Sequence, residues 1–213
     1  MSRKKLVLVD IDNTLVRIDG GHFTAMEETV RDFFGISYDQ VKAEIMMMQR
    51  CRPQDLTAEH PMLHLSIAMR YSEGKPNLEM LHQAMSYYEN RFESLIEEMP
   101  GARDFLINCQ EKNIPVVAIT NNYMALAIKR LVKTGLSKYI SGLVSPEHYG
   151  VPKPEKFLFQ IILKDHNCAP SDVLMVGDNI VTDGGCADIG IDFELIRPAT
   201  AEEQYKNLQT RYL

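Results

Sequence analysis

Apolar residues follow two rhythms along the 213-residue chain. Short apolar runs occur at residues 6–11, 114–119 and 173–176, with weaker ones at 142–144 and 193–196. Runs of that kind read as strands covered on both faces. Between the later runs the spacing becomes helical. Residues 124–134 place Leu126, Ile128, Leu131 and Val132 mostly on one face, with Gly135 as a natural stop. Residues 155–166 do the same with Phe157, Leu158, Ile161 and Ile162, and Pro154 suits the first turn. Strand and helix therefore alternate from about residue 101 to the end. The pattern predicts an α/β fold, a doubly wound parallel sheet with helices on both faces and right-handed crossovers.

Residues 16–99 break this alternation. They offer no convincing strand, and helices are predicted near 22–34, 38–49, 61–71 and 77–97. The chain thus leaves the sheet after one strand, builds an all-helical insertion and returns at Pro100 and Gly101. The expected division is residues 1–15 and 100–213 as an α/β core and 16–99 as the helical insertion. Met46, Met47 and Met48 point around a helix rather than along one face, so they are expected to pack within the insertion and not to form a soft-metal site.

Composition narrows the class. Hydrophobic residues make up 45% and charged residues 24%, a globular balance that excludes a disordered chain. The net charge is −6 and the longest basic run is Arg3, Lys4, Lys5, which argues against a nucleic acid polymer as partner. No apolar stretch approaches the roughly 20 residues of a bilayer span. The apolar segment after Lys5 is also too short for a secretory signal, so a cytoplasmic protein without a membrane role is expected. Cys51, Cys109, Cys168 and Cys186 show no CxxC spacing, and reduced thiols are expected.

Candidate chemistry gathers at strand ends. Asp10 and Asp12 close the first run, and an N-cap role would explain one carboxylate there but not two. The run at 173–176 ends in Gly177, Asp178 and Asn179, followed by Asp183. In a doubly wound sheet, ligands bind beyond the carboxyl ends of strands, so these carboxylates can converge. Thr120, Asn121 and Asn122 end the run at 114–119 and could bind phosphate oxygens or cap the next helix. Lys153 is pinned between Pro152 and Pro154. Four carboxylates against one ammonium leave a net −3, which calls for a hard divalent cation. Magnesium, bound through one or two carboxylates together with substrate phosphate, suits that inventory.

These segments resemble the four motifs of the haloacid dehalogenase superfamily: DIDNTL at residues 10–15, ITN at 119–121, KP at 153–154 and VGDNIVTD at 176–183. The resemblance covers about residues 5–15 and 100–197, and 16–99 resembles the family's helical cap. It implies a phosphatase like those acting on small phosphates and nucleotides. Asp10 would be the nucleophile, forming an aspartyl-phosphate, and Asp12 the general acid and then the base. Thr120 and the amide of Asn121 would hold phosphoryl oxygens, and Lys153 would neutralise the charge shared by phosphate and Asp10. Asp10, Asp178 and the backbone carbonyl of Asp12 would ligate Mg2+, with Asp183 supporting the metal from behind.

The resemblance also orders the alternatives. A dehalogenase would lack an acid at Asp12. A phosphonate-cleaving relative would need an amine such as Lys42 or Lys75. A sugar-phosphate mutase stays open, since the intermediate could return its phosphoryl group to substrate. A non-catalytic phospho-ligand-binding relative is disfavoured because every catalytic position is filled. A signalling receiver shares the Asp, Thr and Lys set but has no such insertion, and its phosphorylated Asp does not follow the first strand. The GGCADIG stretch after Asp183 and Asn122 after TN depart from the usual pattern. Within the insertion, His22, Arg50, Arg52, His60 and His64 could contact a polar substrate or serve as surface and packing residues. The expected partner is a small phosphorylated metabolite, and the chain would act as a monomer or homodimer.

Overall fold

The computed structural model describes residues 3–18, 20–51, 61–72 and 77–213, the side chains of 49–51 excepted. Arg52, His60 and Lys75 lie outside the described residues, as does the side chain of Arg50. Contacts divide the chain into two compact units, one running to Ile18 and resuming at Ile96, the other spanning Asp19–Leu95.

The first unit is built on a five-stranded, wholly parallel sheet. Its strands are β1 (Leu6–Val9), β4 (Val116–Ile119), β5 (Gly142–Val144), β6 (Val173–Gly177) and β7 (Asp192–Leu195), in the order β5-β4-β1-β6-β7. β1 is central and all four of its residues are fully buried, which is why it reads as an unbroken apolar run rather than an alternating one. Leu6 and Leu8 pack with Leu158, Phe159 and Ile162 of α8 (Lys156–Asp165), while Val7 and Val9 project to the opposite face. The remaining helices of this unit are α5 (Ala102–Glu111), α6 (Met124–Lys133), α7 (Pro146–Tyr149) and α9 (Ala201–Tyr212). Phe105 of α5 meets Tyr205 of α9 with ring centroids 5.3 Å apart.

The expectation of no strand within 16–99 is corrected. Val16–Arg17 (β2) and Glu97–Glu98 (β3) form an antiparallel ribbon, pairing Val16 with Glu98 and Arg17 with Glu97. Two-residue strands carry no readable period. They exist because segments 80 residues apart in sequence satisfy each other's backbone groups.

The second unit is helical: α1 (Gly21–Phe34), α2 (Tyr38–Cys51), α3 (Pro61–Tyr71) and α4 (Leu78–Ser94). The four helices share a core that includes Met26, Val30, Phe34, Val41, Leu65, Ala68, Ala84 and Tyr88. Asn77 caps α4 by accepting from the amides of Glu79 and Met80, and Gly35 ends α1 in the left-handed conformation that glycine adopts without strain. Of the three consecutive methionines only Met48 joins the core. Met46 and Met47 are exposed, which corrects the packing expectation for those two. No helix among the described residues is long and apolar enough to cross a membrane.

Candidate active site

The sheet register determines where the chemistry emerges. Val9 pairs with Ala118 on one side and Val176 on the other, so Asp10, Thr120 and Asp178 leave three neighbouring strands at the same edge. That edge is where the winding direction changes about β1. The Asp10 amide donates to the Val176 carbonyl at 2.9 Å, keeping Asp10 in line with β6. The turn that follows is closed by the amides of Leu15 and Val16, both donating to the Ile11 carbonyl at 2.9 Å, with Asn13 at φ 57°. Tyr205, fully buried, donates its hydroxyl to the Thr14 carbonyl at 2.9 Å.

Lys153 is the hub of the site. Its ammonium donates to Asp10 Oδ1 at 2.5 Å, Asp183 Oδ1 at 2.6 Å and the Ile119 carbonyl at 2.9 Å. All three protons of a buried cation are thereby used, as a charge withdrawn from water requires. Asn121 clasps the backbone of Lys153 from both sides: its Oδ1 accepts from the Lys153 amide at 2.7 Å and its Nδ2 donates to the Lys153 carbonyl at 2.9 Å. The Asn121 side chain thereby braces the Lys153 backbone, engaging its Oδ1 and one of its two Nδ2 protons. Thr120 is buried, and its Oγ1 accepts from the Asn122 amide at 3.0 Å.

Asp10 is 7% exposed, and Thr14 Oγ1 donates to its Oδ2 at 3.3 Å. Burial pushes its carboxyl up to about 7. Lys153 pulls in the other direction, and the like charges of Asp183 and Asp12 add to the rise. Burial opposes the charge on Lys153 too, but the Asp10 and Asp183 carboxylates outweigh it and hold the ammonium above its ordinary range.

Asp183 is buried, with Oδ1 on Lys153 and Oδ2 accepting from the Asn179 amide at 3.0 Å. This arrangement needs Gly177, because a Cβ there would collide with the Asp183 carboxylate. Carboxylate oxygens of Asp10, Asp178 and Asp183 lie within 4.8 Å of one another. Three hard oxygen donors on one small locus, with no thiolate or imidazole among them, fit magnesium.

Asp12 is held by two residues of which only one drew attention in the sequence. Its Oδ2 pairs with Arg130 Nη1 and accepts from Asn122 Nδ2 at 3.2 Å. Arg130 lies on α6 and is buried together with Ala127 and Leu131, whereas Leu126, Ile128 and Val132 are exposed. The expected apolar face of this helix is therefore corrected: the buried stripe is 127, 130, 131. That i, i+3, i+4 spacing was a usable signal, obscured because its middle member is an arginine.

The candidate residues of the helical unit are structurally engaged there. His64 is buried with Nδ1 2.6 Å from the Tyr38 hydroxyl, and His22 Nδ1 lies 2.7 Å from that of Tyr88. Burial and the neighbouring His64 lower His22 to about 4, so it is neutral over the ordinary pH range. Lys42 pairs with Asp39 at 3.3 Å and sits 4.8 Å from the Tyr38 ring centroid. Cys109, Cys168 and Cys186 are free thiols.

The model of the haloacid dehalogenase-like hydrolases matches residues 4–187. The chain is 22% identical to a glyceraldehyde 3-phosphate phosphatase of Pyrococcus furiosus, over 97% of this chain and 87% of that one. It is 39% identical to the pyrimidine 5'-nucleotidase YjjG of Escherichia coli over a shorter stretch, 44% of this chain and 42% of the relative. Among solved structures, a Thermotoga maritima protein assigned as a β-phosphoglucomutase superposes with a TM-score of 0.75 at 21% identity, covering 96% of this chain and 99% of that one.

Proposed function

The chain belongs to the haloacid dehalogenase-like hydrolases as one of their phosphatases, and we propose that it is a magnesium-dependent phosphomonoesterase acting on a small phosphorylated metabolite, a nucleoside monophosphate or a sugar phosphate. One observation carries the reading. A buried carboxylate at the end of the central strand is ion-paired to a buried lysine and shares a locus under 5 Å across with two further carboxylates. Relatives named as phosphatases of a triose phosphate and of pyrimidine nucleotides support the substrate class.

In this reading the α/β unit is the catalytic core and the helical unit the cap, with residues 16–18 and 96–99, expected in the cap, belonging to the α/β unit. Asp10 attacks phosphorus, forming an O–P bond as the bond to the leaving oxygen breaks, and Asp12 supplies that oxygen with a proton. Asp12, now a carboxylate, takes a proton from the water that attacks the aspartyl-phosphate, releasing phosphate and restoring Asp10. Lys153 offsets negative charge on the phosphoryl oxygens and on Asp10, while Thr120 and the main-chain amide of Asn121 orient those oxygens. Asp10, Asp178 and the backbone carbonyl of Asp12 would hold Mg2+, braced by Asp183. The ion, when bound, would neutralise charge on the transferring group and align it with the nucleophile.

The test is release of inorganic phosphate from p-nitrophenyl phosphate and from a panel of nucleoside monophosphates and sugar phosphates with magnesium present. Many turnovers, abolished by a chelator and by Asp10→Asn, are expected. Isomerised substrate without phosphate release would instead identify a mutase, and no product of either kind across the panel would overturn the reading.

A further inference from the structure

The two oxygens of Asp12 occupy different environments. Oδ2 receives two donors, Arg130 Nη1 and Asn122 Nδ2, whereas Oδ1 is buried and makes no hydrogen bond. A carboxylate oxygen offers two in-plane lone pairs, so two donors fill Oδ2. A guanidinium and a side-chain NH2 can only donate. A proton on Oδ2 would therefore face N–H groups and displace one of them, leaving Oδ1 as the oxygen free to carry a transferable proton.

The holder is itself well fixed. Arg130 is 8% exposed, and its backbone carbonyl accepts from the Thr134 amide at 3.1 Å and from Thr134 Oγ1 at 2.9 Å. A guanidinium does not give up its proton at any working pH, so it anchors Asp12 without entering the proton transfer. Asn122 approaches the same oxygen from the loop after β4, which brings a second element onto one atom.

We propose that Arg130, assisted by Asn122, is a positioning residue that assigns the two oxygens of Asp12 separate tasks. Oδ2 is the fixed anchor. Oδ1 gives its proton to the leaving alkoxide as the P–O bond breaks and later takes one from the attacking water. This inference rests on the phosphatase reading above. It adds to that reading the identity of the working oxygen and of the group that selects it.

The test compares kcat/KM, which reports events through formation of the aspartyl-phosphate, for two substrates: p-nitrophenyl phosphate, whose leaving group needs little protonation, and an alkyl phosphate, whose alkoxide needs it fully. In Arg130→Met the alkyl substrate is expected to lose roughly 100-fold, the scale of general acid catalysis. The aryl substrate should lose less than about fivefold by the same principle, with KM for both nearly unchanged. Arg130→Lys should recover part of the alkyl rate. Asn122→Ala should reproduce the ordering more weakly, and it carries the test if Arg130→Met does not fold. Equal losses on both substrates, or none, in an otherwise active enzyme would reduce Arg130 to a structural ion pair and overturn the proposal. A wild-type protein inert toward both substrates would fail at the phosphatase reading itself and take this inference with it.

Discussion

Burial opposes the charge on Asp10, and stability should register that conflict. The folded-state value of about 7 lies above the ordinary 3.8. Between those pH values the folded protein retains a proton that the unfolded chain has released, so the contribution of this group to stability falls as pH rises through the window. Asp10→Asn cannot ionise. In the metal-free protein it should melt several degrees above wild type at pH 8 and close to it at pH 4, at about 2–4 °C per kcal/mol for a chain of this size, while turnover disappears. Paired thermal melts at the two pH values check this; a variant no more stable at pH 8 would mean that Lys153 fully compensates the buried charge. Gly177 supports a second prediction. Gly177→Ala should push the Asp183 carboxylate off Lys153 and lower kcat by about 100-fold, the usual scale for displacing a catalytic group by an ångström. Asp10, Lys153, Asp178 and Asp183 were legible because each sits at a punctuated strand or loop end, where a charge conflicts with its apolar neighbours. Arg130 was not, because an arginine near a helix C-terminus is an ordinary, dipole-favoured surface choice, and only the fold turns it inward.

At the scale of elements, the parallel strands and the helices were readable from period and punctuation, and the parts that needed distant partners were not. Helix α4 ends at Ser94, short of the expected Glu97, because Glu97 and Glu98 pair with Arg17 and Val16. α6 shows the other limit. With Leu126, Ile128 and Val132 exposed, its amphipathic pattern points away from its buried stripe, and tertiary packing overrides the simple reading. α9 makes one contact whose cost can be measured. Tyr205→Phe removes the donor to the Thr14 carbonyl inside a fully buried environment and should cost about 1–3 kcal/mol, the price of an unsatisfied buried acceptor. Urea unfolding at constant m value checks the loss. A neutral result would show that the turn after Asp10 holds without α9.

For the whole molecule, every group assigned to metal and phosphate belongs to the α/β unit, and the helical unit has a core of its own. Stabilisation by magnesium should follow that division. Adding millimolar Mg2+ is expected to raise the melting temperature of wild type and of the helical-unit variant Tyr38→Phe alike, and to leave Asp178→Asn unmoved. A shift that survives Asp178→Asn would place the ion elsewhere. The fold class was legible because alternating apolar runs and helical spacing leave few topologies. Substrate choice was not, because it depends on how particular side chains are presented, and His22 and His64 turn out to be tied to tyrosines.

The three-way grip of Lys153 gives the pocket a resident countercharge. Without a divalent ion, part of the carboxylate charge would therefore still be countered in place. Chelation should yield a dormant protein that keeps its native circular dichroism and restarts within the mixing time once magnesium returns.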